Sequence, residues 1–195
     1  PAWLTLVLPL CSPLLPYCAW HHPEIFCLTL TFAAFHLATN RLTVHVSPIL
    51  LGLAASMNPP IALFFPCHCL VAGQNMNSWQ WRSILSMAAS YLAGILVALS
   101  SPAYYLYYFQ TPNVIAHIGL ASLKYASASR AMDIFFSPFI GAGFFFPALP
   151  LLLPACLTRR NWITASAILV SAFAAAWLAS STANLNAGQV GTTRY

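Results

Sequence analysis

The sequence predicts an all-α protein, a polytopic bundle of transmembrane helices, and three observations predict it. Only 5% of the 195 residues are charged while 60% are hydrophobic, against roughly a quarter charged in a soluble domain. The seven Lys and Arg and the two acids leave uncharged intervals at residues 42–81, 83–123 and 134–158, each able to cross a bilayer whose hydrocarbon takes about 20 apolar residues. Segments such as 134–157 are apolar on every face, whereas a barrel strand alternates over about ten residues. In lipid the backbone must satisfy itself, which a helix does.

Taken in order, residues 1–20 are apolar but broken by Pro9, Pro13 and Pro16, which favours a kinked or re-entrant segment. Residues 25–39 form a short apolar helix between His21-His22-Pro23-Glu24 and Asn40-Arg41. Residues 42–73 hold one crossing and part of another, interrupted at Asn58-Pro59-Pro60 and again at Pro66. Residues 74–82, QNMNSWQWR, read as a polar loop with Trp79 and Trp81 at headgroup level. Residues 83–99 form a helix with Ala93-Gly94 for close packing, and Tyr104, Tyr105, Tyr107 and Tyr108 form a band after Pro102.

Residues 110–133 are the amphipathic, charge-bearing interval. Residues 134–157 are the next crossing, closed by Thr158-Arg159-Arg160, and residues 162–178 are the last. The expectation is a multi-pass domain over residues 1–179, with six or seven membrane segments, and a polar tail at 180–195 that frays. The chain starts at Pro1 directly in apolar sequence, so a partial chain is expected. If the helix after Arg82 and the one before Arg159 each cross once, those arginines share one side and the interval around Lys124 lies on the other.

The formal charge of +5 is confined to loops and ends, so it bears on membrane orientation and not on nucleic acid. Glu24 and Asp133 are the only carboxylates and are remote in sequence, which disfavours two-carboxylate chemistry. No Gly-x-Ser-x-Gly elbow and no glycine-rich phosphate cradle occurs. His36, His45, His68 and His117 read as hydrogen-bonded packing residues in preference to ligands or proton shuttles. His22-Pro23-Glu24-Ile25-Phe26 is similar to a loop of respiratory cytochrome b, but the likeness ends there and no register pairs His36 with His45 for haem. In Cys67-His68-Cys69 the side chains leave a helix about 100° apart, so no metal site is expected. The six cysteines lie in or beside apolar runs and are expected as packed thiols. No cofactor is expected.

Three landmarks resemble the C-terminal half of the PIG-U family, the multispanning subunits of the GPI transamidase. They are Ser12-Pro13, the run LGLAASMNPPIALFFP at 51–66, and residues 111–150, where Thr111-Pro112-Asn113 precedes Ile118-Gly119-Leu120, Phe135-Phe136, Phe144-Phe145-Phe146 and Pro150. Pro13, Pro60 and Pro66 keep the family's order and approximate spacing. Between Leu120 and Phe135 the chain departs: the family's aromatic and acidic element becomes Ala121-Ser122-Leu123-Lys124-Tyr125, with Ser127 and Arg130 nearby.

The resemblance implies a GT-C-like, mannosyltransferase-related architecture in the endoplasmic reticulum membrane. It implies a non-catalytic role, scaffolding the complex and helping to recognise GPI glycolipid or the C-terminal signal, with catalysis in a separate cysteine-protease subunit. Partners would be that subunit, its membrane companions, the GPI glycolipid and membrane phospholipids. Candidate lipid contacts are Asn113, Lys124, Tyr125, Arg130, Phe135 and Phe136, the two cations facing a phosphate. Two other readings stand beside it: a fragment of a GT-C glycosyltransferase whose acidic loop lies upstream, or an accessory subunit of a mitochondrial respiratory or ATP synthase complex.

Overall fold

The computed structural model describes residues 23–74, 81–113, 117–137 and 162–182. These are mostly helical. Among them no strand occurs, and one isolated antiparallel bridge joins Ala121 to Thr182. The segments expected at residues 1–20 and 138–157, the loop tryptophan Trp79, and the tail beyond 182 lie outside the described residues.

Helix α1, Pro23–Ala38, covers about 24 Å at ~1.5 Å per residue, short of the about 30 Å hydrocarbon layer. Asn40 turns the chain after it: its side-chain oxygen accepts from the Leu42 N–H at 3.0 Å, and its carbonyl accepts from the Thr43 and Val44 N–H groups. Leu42, read from sequence as the start of a crossing, is therefore in a loop and 89% exposed. Helix α2, Ser47–Met57, starts only after this turn, with Pro48 in its first turn, where no N–H is missed.

At Asn58 the backbone becomes extended, as a residue before proline prefers. A 3-10 helix, Pro59–Phe64, follows and leads into helix α3, Phe65–Gln74. Of the two expected interruptions, the Asn58 step ends a helix, and Pro66 sits in the first turn of the next. The tighter backbone between them packs against helix α6, Trp162–Ala179, and its residues 60–64 are half-buried.

Helix α4, Trp81–Phe109, runs through Pro102 for 29 residues, so the tyrosine band is its last two turns and not a separate segment. Its buried and half-buried face, Met87, Tyr91, Gly94, Val97 and Ala98, recurs at helical spacing and packs chiefly on α2. The contact is backbone to backbone. A Cβ on Gly52 would collide with the Gly94 carbonyl, and one on Gly94 with the Pro48 carbonyl, the close approach that small residues permit between membrane helices.

Helices α4 and α6 are both long and apolar enough to cross a membrane, and α1 and α2 are shorter apolar helices. The other faces of α4 leave Leu85, Leu92, Ile95, Leu96 and Leu99 exposed. Helix α5, Ala128–Phe136, is amphipathic and takes in Ile134 to Phe136, which the sequence placed at the start of a crossing.

The described helices define two ends. At one, Gln74 donates to Thr164 Oγ1 at 2.8 Å, Ser86 bonds His45 at 3.4 Å, and Ala38, Val44, Ala72 and Met87 form a small core. At the other, Ala131 and Ile134 of α5 pack on Ala176 and Ala179 of α6. The segment 58–74 thus runs antiparallel to α6, and the charged interval sits at the C-terminal end of α6.

Candidate functional site

The charged interval is folded onto that end by its own backbone. The Ser122 N–H donates to the Ser181 carbonyl at 2.9 Å, beside the Ala121 to Thr182 bridge. Leu123–Tyr125 makes one 3-10 turn. Ser127 then caps α5, its hydroxyl accepting from the Arg130 N–H at 3.2 Å, which satisfies a donor left open at a helix start. The Ser127 N–H itself donates to Ser180 Oγ at 3.4 Å. Ser180 is fully buried and Thr182 nearly so. Residues 180–182, read from sequence as the start of a fraying tail, are docked.

The two cations have different situations. The Arg130 guanidinium donates from Nη2 to the Thr182 carbonyl at 2.6 Å and from Nη1 to the Tyr125 carbonyl at 3.2 Å. It ties the interval to the chain leaving α6, where cations are favoured by the helix dipole. Lys124 is exposed, with Nζ 5.0 Å from the centre of the Tyr125 ring, and Arg130 Cζ lies 5.8 Å from the same ring. Both are within the range of cation–π attraction. Asp133 is exposed on α5.

One turn after Arg130, Ile134 and Phe135 enter the wall of an apolar cleft of about 210 Å³. The opposite wall is the break between α2 and α3, with Asn58, Pro60, Ile61 and Phe64, and the floor is alanines of α6 between Ala172 and Ala179. The break expected from Asn58-Pro59-Pro60 is therefore part of the site. Sequence gave no sign that it faces α5, 70-odd residues on, because apolar residues carry no partner address.

Of the candidate residues, Lys124, Tyr125 and Arg130 come together, and Phe135, on the same helix as Arg130, lines the cleft, which none of those three does. Phe136 is 62% exposed, its ring 6.2 Å from that of Phe135. Asn113 lies apart in sequence, in the turn after α4, where its carbonyl accepts from the His117 N–H at 3.0 Å and from Thr111 Oγ1 at 3.2 Å. The residues that sequence reading missed are Ser180 and Thr182. A serine- and threonine-rich stretch at a chain end looks like tail, and only the bridge to Ala121 shows its use.

A second polar centre lies between the helices. His68 is 0% exposed. Its Nε2 is 3.3 Å from the Ala34 carbonyl and its Nδ1 is 2.6 Å from the Tyr91 hydroxyl. A carbonyl only accepts, so Nε2 carries the proton and Nδ1 accepts from Tyr91. The ring of Phe35 meets the imidazole edge-on at 5.3 Å. All of its nitrogens are used in joining α1, α3 and α4, and its neighbours Cys67 and Cys69 are free thiols.

No family model, curated protein or solved structure matches the chain.

Proposed function

We propose that the chain is a multi-pass subunit of the GPI transamidase in the endoplasmic reticulum membrane, of GT-C-like architecture. It scaffolds the assembly and helps to recognise GPI lipid or the hydrophobic C-terminal signal, while a separate cysteine-protease subunit does the chemistry. The family resemblance at Ser12-Pro13 and at residues 51–66 and 111–150 suggests the complex. The observation that carries a lipid or signal role is the meeting of the last two landmarks: the Asn58-Pro59-Pro60 break and the Phe135 helix form the two walls of one apolar cleft.

The membrane placement draws on α4. From Trp81 to Tyr104 it rises about 35 Å at ~1.5 Å per residue, close to the about 30 Å hydrocarbon layer plus its interfaces. Both ends of that interval are exposed aromatics of the kind that settle at headgroup level. Between them the exposed large hydrophobic side chains are all leucine or isoleucine, Leu85, Leu92, Ile95, Leu96 and Leu99, a surface that water would disfavour.

Affinity purification of the full chain from membranes, with identification of its partners, tests this. Recovery of a caspase-like cysteine protease with transamidase companions is the expected result. Recovery of respiratory or ATP synthase subunits in their place would sink the reading.

A further inference from the structure

We infer that the cleft and the cations at its end hold a bilayer phospholipid with an anionic headgroup, a stretch of one acyl chain lying in the cleft and the phosphate meeting Lys124. The inference rests on the membrane placement above and not on membership of a transamidase.

The cleft itself selects hydrocarbon. Asn58 is the only polar side chain in its lining, whereas a bound water needs two to four polar partners. Its about 210 Å³ falls below the roughly 300–1,000 Å³ of sites that enclose a whole small molecule. That is room for part of one chain, with the remainder in the surrounding bilayer.

The charge at its end selects the headgroup. Arg130 and Ile134 are one turn apart on α5, hence on one face, and Ile134 lines the cleft. The Thr182 carbonyl that receives Arg130 follows shortly after Ala179, the last cleft alanine. Arg130 is committed to backbone carbonyls, so it fixes Tyr125 and contributes charge from place. Lys124, with Nζ 5.0 Å from the centre of the Tyr125 ring, is the exposed donor. Asp133 offsets one charge, leaving the group net positive. Every phospholipid offers the phosphate that meets Lys124, but only a headgroup that stays net negative keeps its attraction to a net positive site at the membrane surface, so the anionic lipid is favoured over the zwitterionic one.

The test uses the full chain reconstituted in phosphatidylcholine bilayers, with phosphatidylserine or phosphatidylcholine spin-labelled along the acyl chain. The motionally restricted fraction is measured by electron paramagnetic resonance. Phosphatidylserine is expected to associate about fivefold more strongly than phosphatidylcholine. Lys124→Gln should bring the ratio close to one, while Arg41→Gln, in the exposed loop at the other end, should leave it largely unchanged. Ala175→Leu, which fills the cleft, should reduce the restricted phosphatidylserine while Lys124 is intact. Equal association of both lipids in the inserted protein, or equal loss in the Arg41 and Lys124 variants, would overturn the inference alone. A chain that fails to enter the bilayer would overturn it together with the membrane placement.

Discussion

His68 and Arg130 show how a chain so poor in polar groups uses those it has. Each donates to backbone carbonyls and so joins separate elements: His68 Nε2 to Ala34 within the helices, and Arg130 to Tyr125 and Thr182 beyond a helix end. Residue type gave the direction of this reading, since a lone histidine among apolar residues is more often packed than reactive. It could not give the partners. Tyr91→Phe removes the donor to Nδ1 and leaves a buried acceptor unpaired, at an expected cost of about 1–3 kcal/mol. Denaturant unfolding of the purified protein in detergent measures it, with the exposed Tyr104→Phe as a control expected to change little. Equal stability of the two variants would show that the Tyr91 hydroxyl does not hold the imidazole.

At the scale of elements, prolines and glycines set the architecture that the apolar residues then fill. Pro48 and Pro66 start helices, Pro59 and Pro60 follow the end of one, and Pro102 is accommodated within α4. Proline chemistry made the Asn58 break legible in the sequence. It did not distinguish Pro102, which α4 absorbs, from the prolines that mark boundaries, because tolerance of a missing N–H depends on what packs around it. Gly94 was legible as a close-packing site, but its opposite number Gly52 was not. Gly94→Leu should force α2 from α4 and cost more than the about 1–3 kcal/mol of ordinary overpacking, because the obstacle is the Pro48 backbone. Gly73→Ala meets nothing within 4 Å and should be neutral or stabilising by about 0.4–1 kcal/mol. Thermal unfolding of the pair in detergent decides the point; a Gly94 variant as stable as the Gly73 variant would exclude a tight crossing.

At the scale of the whole molecule, the cations among the described residues divide between the two ends. Arg41 and Arg82 belong to the end where α3 meets the start of α6, and Arg159 and Arg160 precede that start in sequence. Lys124 and Arg130, offset by Asp133, belong to the other. On the membrane placement proposed above, we predict from the positive-inside rule that the arginine end is cytosolic and the cleft end faces the opposite side. In a background lacking the native cysteines, Arg41→Cys should react with an impermeant maleimide from the cytosolic face and Lys124→Cys only from the opposite face. Labelling of both from one face would reject this arrangement.

The sequence by itself determined the helical class, the presence of an apolar helix after Arg82 and another after Trp162, and the position of the Asn58 break, because charge deficit and proline geometry are local properties of the chain. It did not determine where α4 ends, since that helix continues through Pro102 to Phe109. It also singled out the interval around Lys124, since charge is conspicuous against so apolar a background. Only the tertiary structure decided that this interval folds onto Ser180 to Thr182, that Arg130 is bound to backbone while Lys124 is exposed, and that the break and α5 face each other across a cleft. Those outcomes depend on which apolar surfaces meet, and dispersion and burial are non-directional, so the pairing emerges from the shapes of packed helices and from no single residue's identity.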